Sequence, residues 1–142
     1  MNYSVIAGIA AFPCMWCIGL LLESRISGWA QLAVHYRADD RVGGGEYLCL
    51  GKVGVISYEM PLTLHISEVG LGMSVPLPFR IGHPPLFIPW VDIHDVCEKR
   101  KMFVFPILSL TIGRPAIAGV TLRFWPRDKM PTSINSKTSD FL

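Results

Sequence analysis

Val5–Leu22 reads VIAGIAAFPCMWCIGLLL, eighteen positions without a charged side chain. Every Lys, Arg, Asp and Glu of the 142-residue chain comes later, from Glu23 onward. An uncharged apolar run of this length is read first as a transmembrane helix. At ~1.5 Å rise per residue it spans roughly 27 Å, close to a ~30 Å hydrocarbon core. Tyr3 and Ser4 extend it, and tyrosine is at home at the membrane–water interface. Pro13 falls in mid-span, where membrane helices accept a kink.

Two rival readings fit less well. A secretory signal needs a positive n-region and a small-residue cleavage site. Met1–Ser4 carry no Lys or Arg, and Glu-Ser-Arg-Ile-Ser-Gly-Trp after Leu22 offers no A-x-A pattern. Pro13 before Cys14 also spoils a lipoprotein box. A buried helix of a soluble core is the second rival, and the length of the run disfavours it. Arg25, Arg37 and Arg41 follow the span and no basic side chain precedes it. The positive-inside rule then places the rest of the chain in the cytoplasm, as a single-pass membrane protein.

Roughly 120 residues follow Leu22, enough for one domain with its own core. A formal charge of +2 is too small to argue for a nucleic-acid partner. Four cysteines do not make a disulfide framework at this length, and Cys14 and Cys17 lie inside the apolar run. The pattern predicts reduced thiols in or near a cytoplasm.

After the span, residues 23–38 are expected to form an amphipathic juxtamembrane helix. Trp29, Leu32, Ala33 and Tyr36 recur at i, i+3, i+4 and i+7 on one face, with Ser27 as a cap. Residues 39–45, ending in three glycines, read as a linker. From Glu46 to Trp125 the period is that of about seven short β-strands: Tyr47–Leu50 leading through Gly51 and continuing over Val53–Tyr58, then Leu62–Ile66, Leu71–Leu77, Leu86–Trp90, Asp92–Val96, Met102–Ile112 and Ile117–Trp125. Ser67–Gly70 is a hairpin turn, Pro89 marks an edge or a bulge, and Glu98–Lys101 is a charged turn. Residues 126–142 are polar and without periodicity, so they read as disordered. The fold class is therefore an N-terminal transmembrane helix plus a mainly-β domain, an antiparallel meander curling into a barrel or half-barrel.

The segments S27-G-W-A-Q-L-A-V-H-Y36 and F79-R-I-G-H-P-P-L-F-I-P-W-V-D-I93 resemble two signatures of an uncharacterised bacterial membrane-anchored family. That resemblance implies relatedness along the whole chain and carries no activity. More loosely, Phe-Ile-Pro-Trp-x-x-Ile is similar to strands of bacterial pleckstrin-homology-like domains, which close their barrel with a C-terminal amphipathic helix. The tail after Trp125 has no apolar stripe. The Trp29–Tyr36 helix is expected to plug the barrel instead, with Trp29, Leu32 and Tyr36 as its capping residues.

No catalytic, P-loop, zinc-protease or dinucleotide-binding motif is present, so no catalytic residue, metal ligand or cofactor is assigned. Cys14-Met-Trp-Cys17 places two thiols on one helix face, but hydrocarbon raises a thiol pKa and the pair reads as small apolar filler. Asp92-Ile-His94-Asp95-Val-Cys97-Glu98 is the richest polar cluster, with Asp92 and His94 on one strand face. His83-Pro-Pro85 reads as a rigid turn whose imidazole bonds a nearby carbonyl. Lys99, Arg100 and Lys101, with Arg80, Arg114, Arg123 and Arg127, can gather on one rim against anionic headgroups. The first expectation is a membrane-anchored, non-enzymatic binding or scaffold module. It engages lipid headgroups or a membrane protein through Lys99, Arg100, Lys101 and Trp90, with the Leu86–Trp90 edge offered to a partner. The alternative is a small-ligand-binding or enzymatic barrel using the groups around His94.

Overall fold

A computed structural model describes residues 2–38, 45–55, 59–99 and 105–134. Helix α1 covers Tyr3–Ser27, so it takes in the whole apolar run, the two residues before it and the five after it. It stops at Gly28, whose φ of 86° is left-handed and suits glycine at a helix C-terminus. Arg25 sits in the last turn, where a cation favours the helix dipole. Helix α2 follows at once, Trp29–Tyr36. The expected single helix over 23–38 is thus corrected: residues 23–27 belong to α1, and Gly28 is the corner. Gly28, not the expected Ser27, is the N-cap of α2; the Ser27 hydroxyl accepts the Trp29 backbone N–H, at 3.3 Å, across that corner.

Among the described residues seven strands follow: β1 Gly45–Val53, β2 Met60–Ile66, β3 Gly70–Ser74, β4 Leu86–Pro89, β5 Ile93–Lys99, β6 Ile107–Ile112 and β7 Ala118–Arg123. They form one antiparallel sheet in the order β4-β3-β2-β1-β7-β6-β5. Two meanders share β1, which pairs with β2 along Gly45–Gly51 and with β7 along Leu50–Val53. Laid flat at ~4.8 Å per strand, β4 and β5 would lie roughly 29 Å apart. Yet only the 3-10 turn Trp90–Asp92 joins them, and that length of chain reaches at most about 14 Å. The sheet must curl, and it forms a half-barrel with its apolar face inward.

Alternation sets that face. In β2, Leu62 and Leu64 point inward, and β6 and β7 do the same with Leu108, Leu110, Ile112, Val120 and Leu122. Trp29 and Leu32 of α2 are 0% exposed within the same cluster, and α2 packs against both β4 and β7.

Several boundaries differ from the sequence expectation. Gly45 opens β1 rather than closing a linker, and residues 39–44 lie outside the described residues. The first strand runs through Gly51 as expected but ends at Val53, because Gly54 turns with φ 66°. Residues 56–58 lie outside the described residues. Asp92 belongs to the 3-10 turn, and β5 carries Glu98 and Lys99 as strand rather than turn. Of the strand expected from Met102, the described part is Ile107–Ile112, after Pro106, which has no N–H for a ladder; residues 100–104 lie outside the described residues. The segment read as disordered from Pro126 makes a 3-10 turn at Arg127–Lys129 and buries Met130 and Ile134 in the core. Two apolar side chains spaced four apart were enough to dock it; residues 135–142 lie outside the described residues.

Candidate functional site

The last turns of α1 are built into the β domain. Leu20, Ser24 and Ser27 are buried. The Ser24 hydroxyl donates to the Gly82 carbonyl. Gly82, at φ 76°, comes so close that a Cβ there would press on Leu21. Further out, the Trp16 ring meets Phe79 with centroids 5.8 Å apart. The rest of the apolar helix is outside: Val5, Ile9, Phe12, Met15, Ile18 and Leu22 are all exposed, and only 6% of its most apolar stretch is buried.

Between α1 and the domain lies a cavity of about 560 Å³, within the usual range for ligand pockets. Phe12, Met15, Trp16, Gly19 and Leu20 line it from the helix; Met60, Pro61 and Phe79 line it from the domain. Its polar members are Glu23, Glu59 and His83. Glu59 is committed, since its carboxylate holds Arg123 Nε at 2.8 Å. His83 is 2% exposed, bonds the Ile81 carbonyl through Nδ1 at 3.1 Å, and leaves Nε2 without a partner. The imidazole does bond a carbonyl, as the His-Pro-Pro turn suggests, and it also faces a cavity.

Helix α2 places the three expected capping residues differently. Trp29 and Leu32 sit in the core, and the Trp29 indole N–H donates to the Pro84 carbonyl at 3.0 Å. Its ring meets His83 edge-on at 5.3 Å. Tyr36 is half-buried and donates its phenol to Asp92 Oδ2 at 3.1 Å. Burial, then the hydrogen bond and the negative charge of Asp92, raise the Tyr36 pKa. Just beyond, Arg37 bridges to Leu86 and the Ala38 N–H donates to the Pro85 carbonyl at 2.9 Å. The start of the β4 edge is therefore covered by the chain itself, as sheet edges commonly are.

The basic set is dispersed. Lys99 is exposed at the end of β5; Arg100 and Lys101 lie outside the described residues. Arg123 is paired with Glu59, and Arg127 reaches Glu98 at 3.3 Å. Arg114 is exposed on the β6–β7 turn. Trp90 is half-buried, and its indole N–H is taken by the Ser67 carbonyl at 2.9 Å.

The polar groups near His94 do not converge. Asp92 is engaged by Tyr36, and a bulge between His94 and Cys97, with Asp95 at φ 50°, turns Asp95 outward. Its carboxylate is 3.8 Å from His94 Nε2. Among the described residues no group of three His, Cys, Asp or Glu side chains is placed to hold a metal. All four cysteines are free, and burial pushes the Cys49 thiol up to about 12.

Sequence reading missed a second polar group. Glu46 on β1 lies directly opposite His65 on β2, and Ser74 of β3 sits beside them. Ser74 Oγ is 3.3 Å from His65 Nε2, and Glu46 Oε1 is 3.7 Å from His65 Nδ1. They line a cavity of about 310 Å³ with Arg80. The order of the three is that of a nucleophile–base–acid relay, but the Glu46 contact is too long for a hydrogen bond, so nothing fixes the imidazole tautomer such a relay needs. Only the cross-strand register, set at 45–66, brings these residues together; no linear motif joins them.

No family model matches the chain, and neither the curated proteins nor the solved structures hold a match to it.

Proposed function

We propose that this protein is a single-pass, membrane-anchored, non-enzymatic binding module. In this reading α1 crosses the bilayer and the β domain lies on the cytoplasmic side, its α1-facing edge at Phe79 reaching below the headgroups beside Trp16. One observation carries it: the apolar helix shows its Val, Ile, Phe and Leu side chains to the outside while its final turns are locked into the domain. A helix serving a soluble core would bury that face, and leaving it in water would cost ~25 cal/mol per Å² of apolar surface. A cleaved signal would take Leu20 out of the domain's packing and Ser24 away from Gly82. The seven-stranded half-barrel with α2 packed against it supports a pleckstrin-homology-like module, and the two sequence signatures support kinship with the bacterial membrane-anchored family they resemble.

The module engages anionic headgroups or a membrane protein from its surface. Lys99 is an exposed basic group at the end of β5, and Arg100 and Lys101 follow it in sequence. Alkaline carbonate extraction of the full-length protein tests the anchor. Retention in the membrane pellet is expected. Release as soluble protein overturns the reading.

A further inference from the structure

The cavity between α1 and the domain has a chemical direction. Along the helix, Phe12 and Glu23 are eleven residues apart, about 16 Å of axial rise. The end nearer Phe12 is apolar: Met15, Trp16 and Phe79 line it. At the other end the available polar atoms are acceptors. The Ile81 carbonyl can only accept, so His83 Nδ1 carries the proton toward it. In the singly protonated ring Nε2 is then an acceptor, buried and unpartnered. An unpaired buried polar atom is costly, and a site that leaves one waits for a donor. Glu23 adds a carboxylate, and its side chain takes no ion pair or hydrogen bond among the described residues. It is also the first charged residue after the apolar run, so it stands where headgroups lie.

We propose that this cavity binds one molecule of phosphatidylethanolamine. An acyl chain lies along Phe12, Trp16 and Phe79, and the primary ammonium donates to His83 Nε2 and to the Glu23 carboxylate. This rests on the membrane reading above. A choline headgroup carries the positive charge but has no N–H to donate. An anionic glycerol headgroup brings its net charge toward Glu23. Charge and hydrogen bonding together therefore select the ethanolamine lipid.

The test uses full-length protein in phosphatidylcholine vesicles. A small fraction of lipid with brominated acyl chains quenches Trp16, which lines the cavity; the difference from Trp16→Phe isolates its signal. Brominated phosphatidylethanolamine is expected to quench about fivefold more effectively than the same fraction of brominated phosphatidylcholine, the preference (~1 kcal/mol) that one partly exposed ion pair supplies. Glu23→Gln should bring the two lipids close together. Gly19→Leu should abolish the preference by filling the cavity; a Cβ at Gly19 meets open space, and an unchanged Tm in detergent checks that α1 stays docked. Equal quenching by brominated phosphatidylethanolamine and brominated phosphatidylcholine overturns the site and leaves the anchor standing. No quenching of Trp16 by any brominated lipid overturns the anchor itself, and the site with it.

Discussion

The backbone of Gly54 lies directly against the carbonyl of Ser27, so close that a Cβ on residue 54 would overlap it. The end of β1 and the end of α1 are thereby locked together, one strand and one helix meeting backbone to backbone. Gly54 also holds φ 66° and donates its N–H to the Gly119 carbonyl at 2.7 Å. Gly54→Ala therefore meets both a backbone strain and a clash. It should cost roughly 2 kcal/mol or more, seen as a lowered Tm of the full-length protein in detergent. An unchanged Tm would show that α1 can lift from the domain without penalty.

Trp29 and Leu32 carry the packing of α2. Trp29→Ala should destabilise by about 3–5 kcal/mol and Leu32→Ala by about 2–5 kcal/mol. Val34 on the same helix is 80% exposed, and Val34→Ala should stay within about 0.5 kcal/mol. Chemical unfolding of the three variants separates a helix that belongs to the core from one that merely rests on the surface.

Tyr36 ties α2 to the β4–β5 turn through Asp92. Its proton is held more tightly in the folded chain, so its folded pKa lies above the unfolded value of about 10. The stabilisation is complete below pH 10 and disappears as pH rises through the folded value. Tyr36→Phe should cost about 1 kcal/mol at neutral pH. Against the native protein, that difference should shrink in alkaline titration. A difference that stays constant to high pH would deny the Tyr36–Asp92 bond.

Cys49 sits inside the half-barrel and Cys97 is half-buried on β5. With its pKa near 12, the Cys49 thiol stays protonated at pH 8 and should react with maleimide only when the domain unfolds. Cys97 should label before Cys49 in the folded protein. Mass spectrometry of singly labelled protein reads the order directly.

Charge reversal of Lys99, Arg100 and Lys101 tests the headgroup surface. Each basic residue near an anionic bilayer contributes ~1 kcal/mol, so reversing three should weaken the protein's preference for anionic over zwitterionic vesicles. An unaltered preference would move the binding surface elsewhere on the domain.

Much of the local structure was legible in the chain. The eighteen-residue apolar run predicted a helix, and the alternation of Leu62, Leu64 and Ile66 predicted a strand with a buried face. Pro89 marked the edge strand that β4 is. Boundaries were less legible where a contact from elsewhere decided them. Nothing in Glu23–Ser27 says that those residues continue α1, because what holds them is Gly82 and Gly54, more than fifty and twenty-five residues away. Met130 and Ile134 read as part of a polar tail, and only their docking into the core shows otherwise.

A long apolar helix followed by a mainly-β domain can be read from the chain alone, because length, charge and two-residue alternation are local properties. Long-range packing sets the rest: the domain's two meanders join at β1, α2 belongs to its core, and α1 docks to leave an apolar cavity ending in His83 and Glu23. Those depend on which backbones can approach closely and which polar atoms are left unpaired, and such facts exist only between residues distant in sequence.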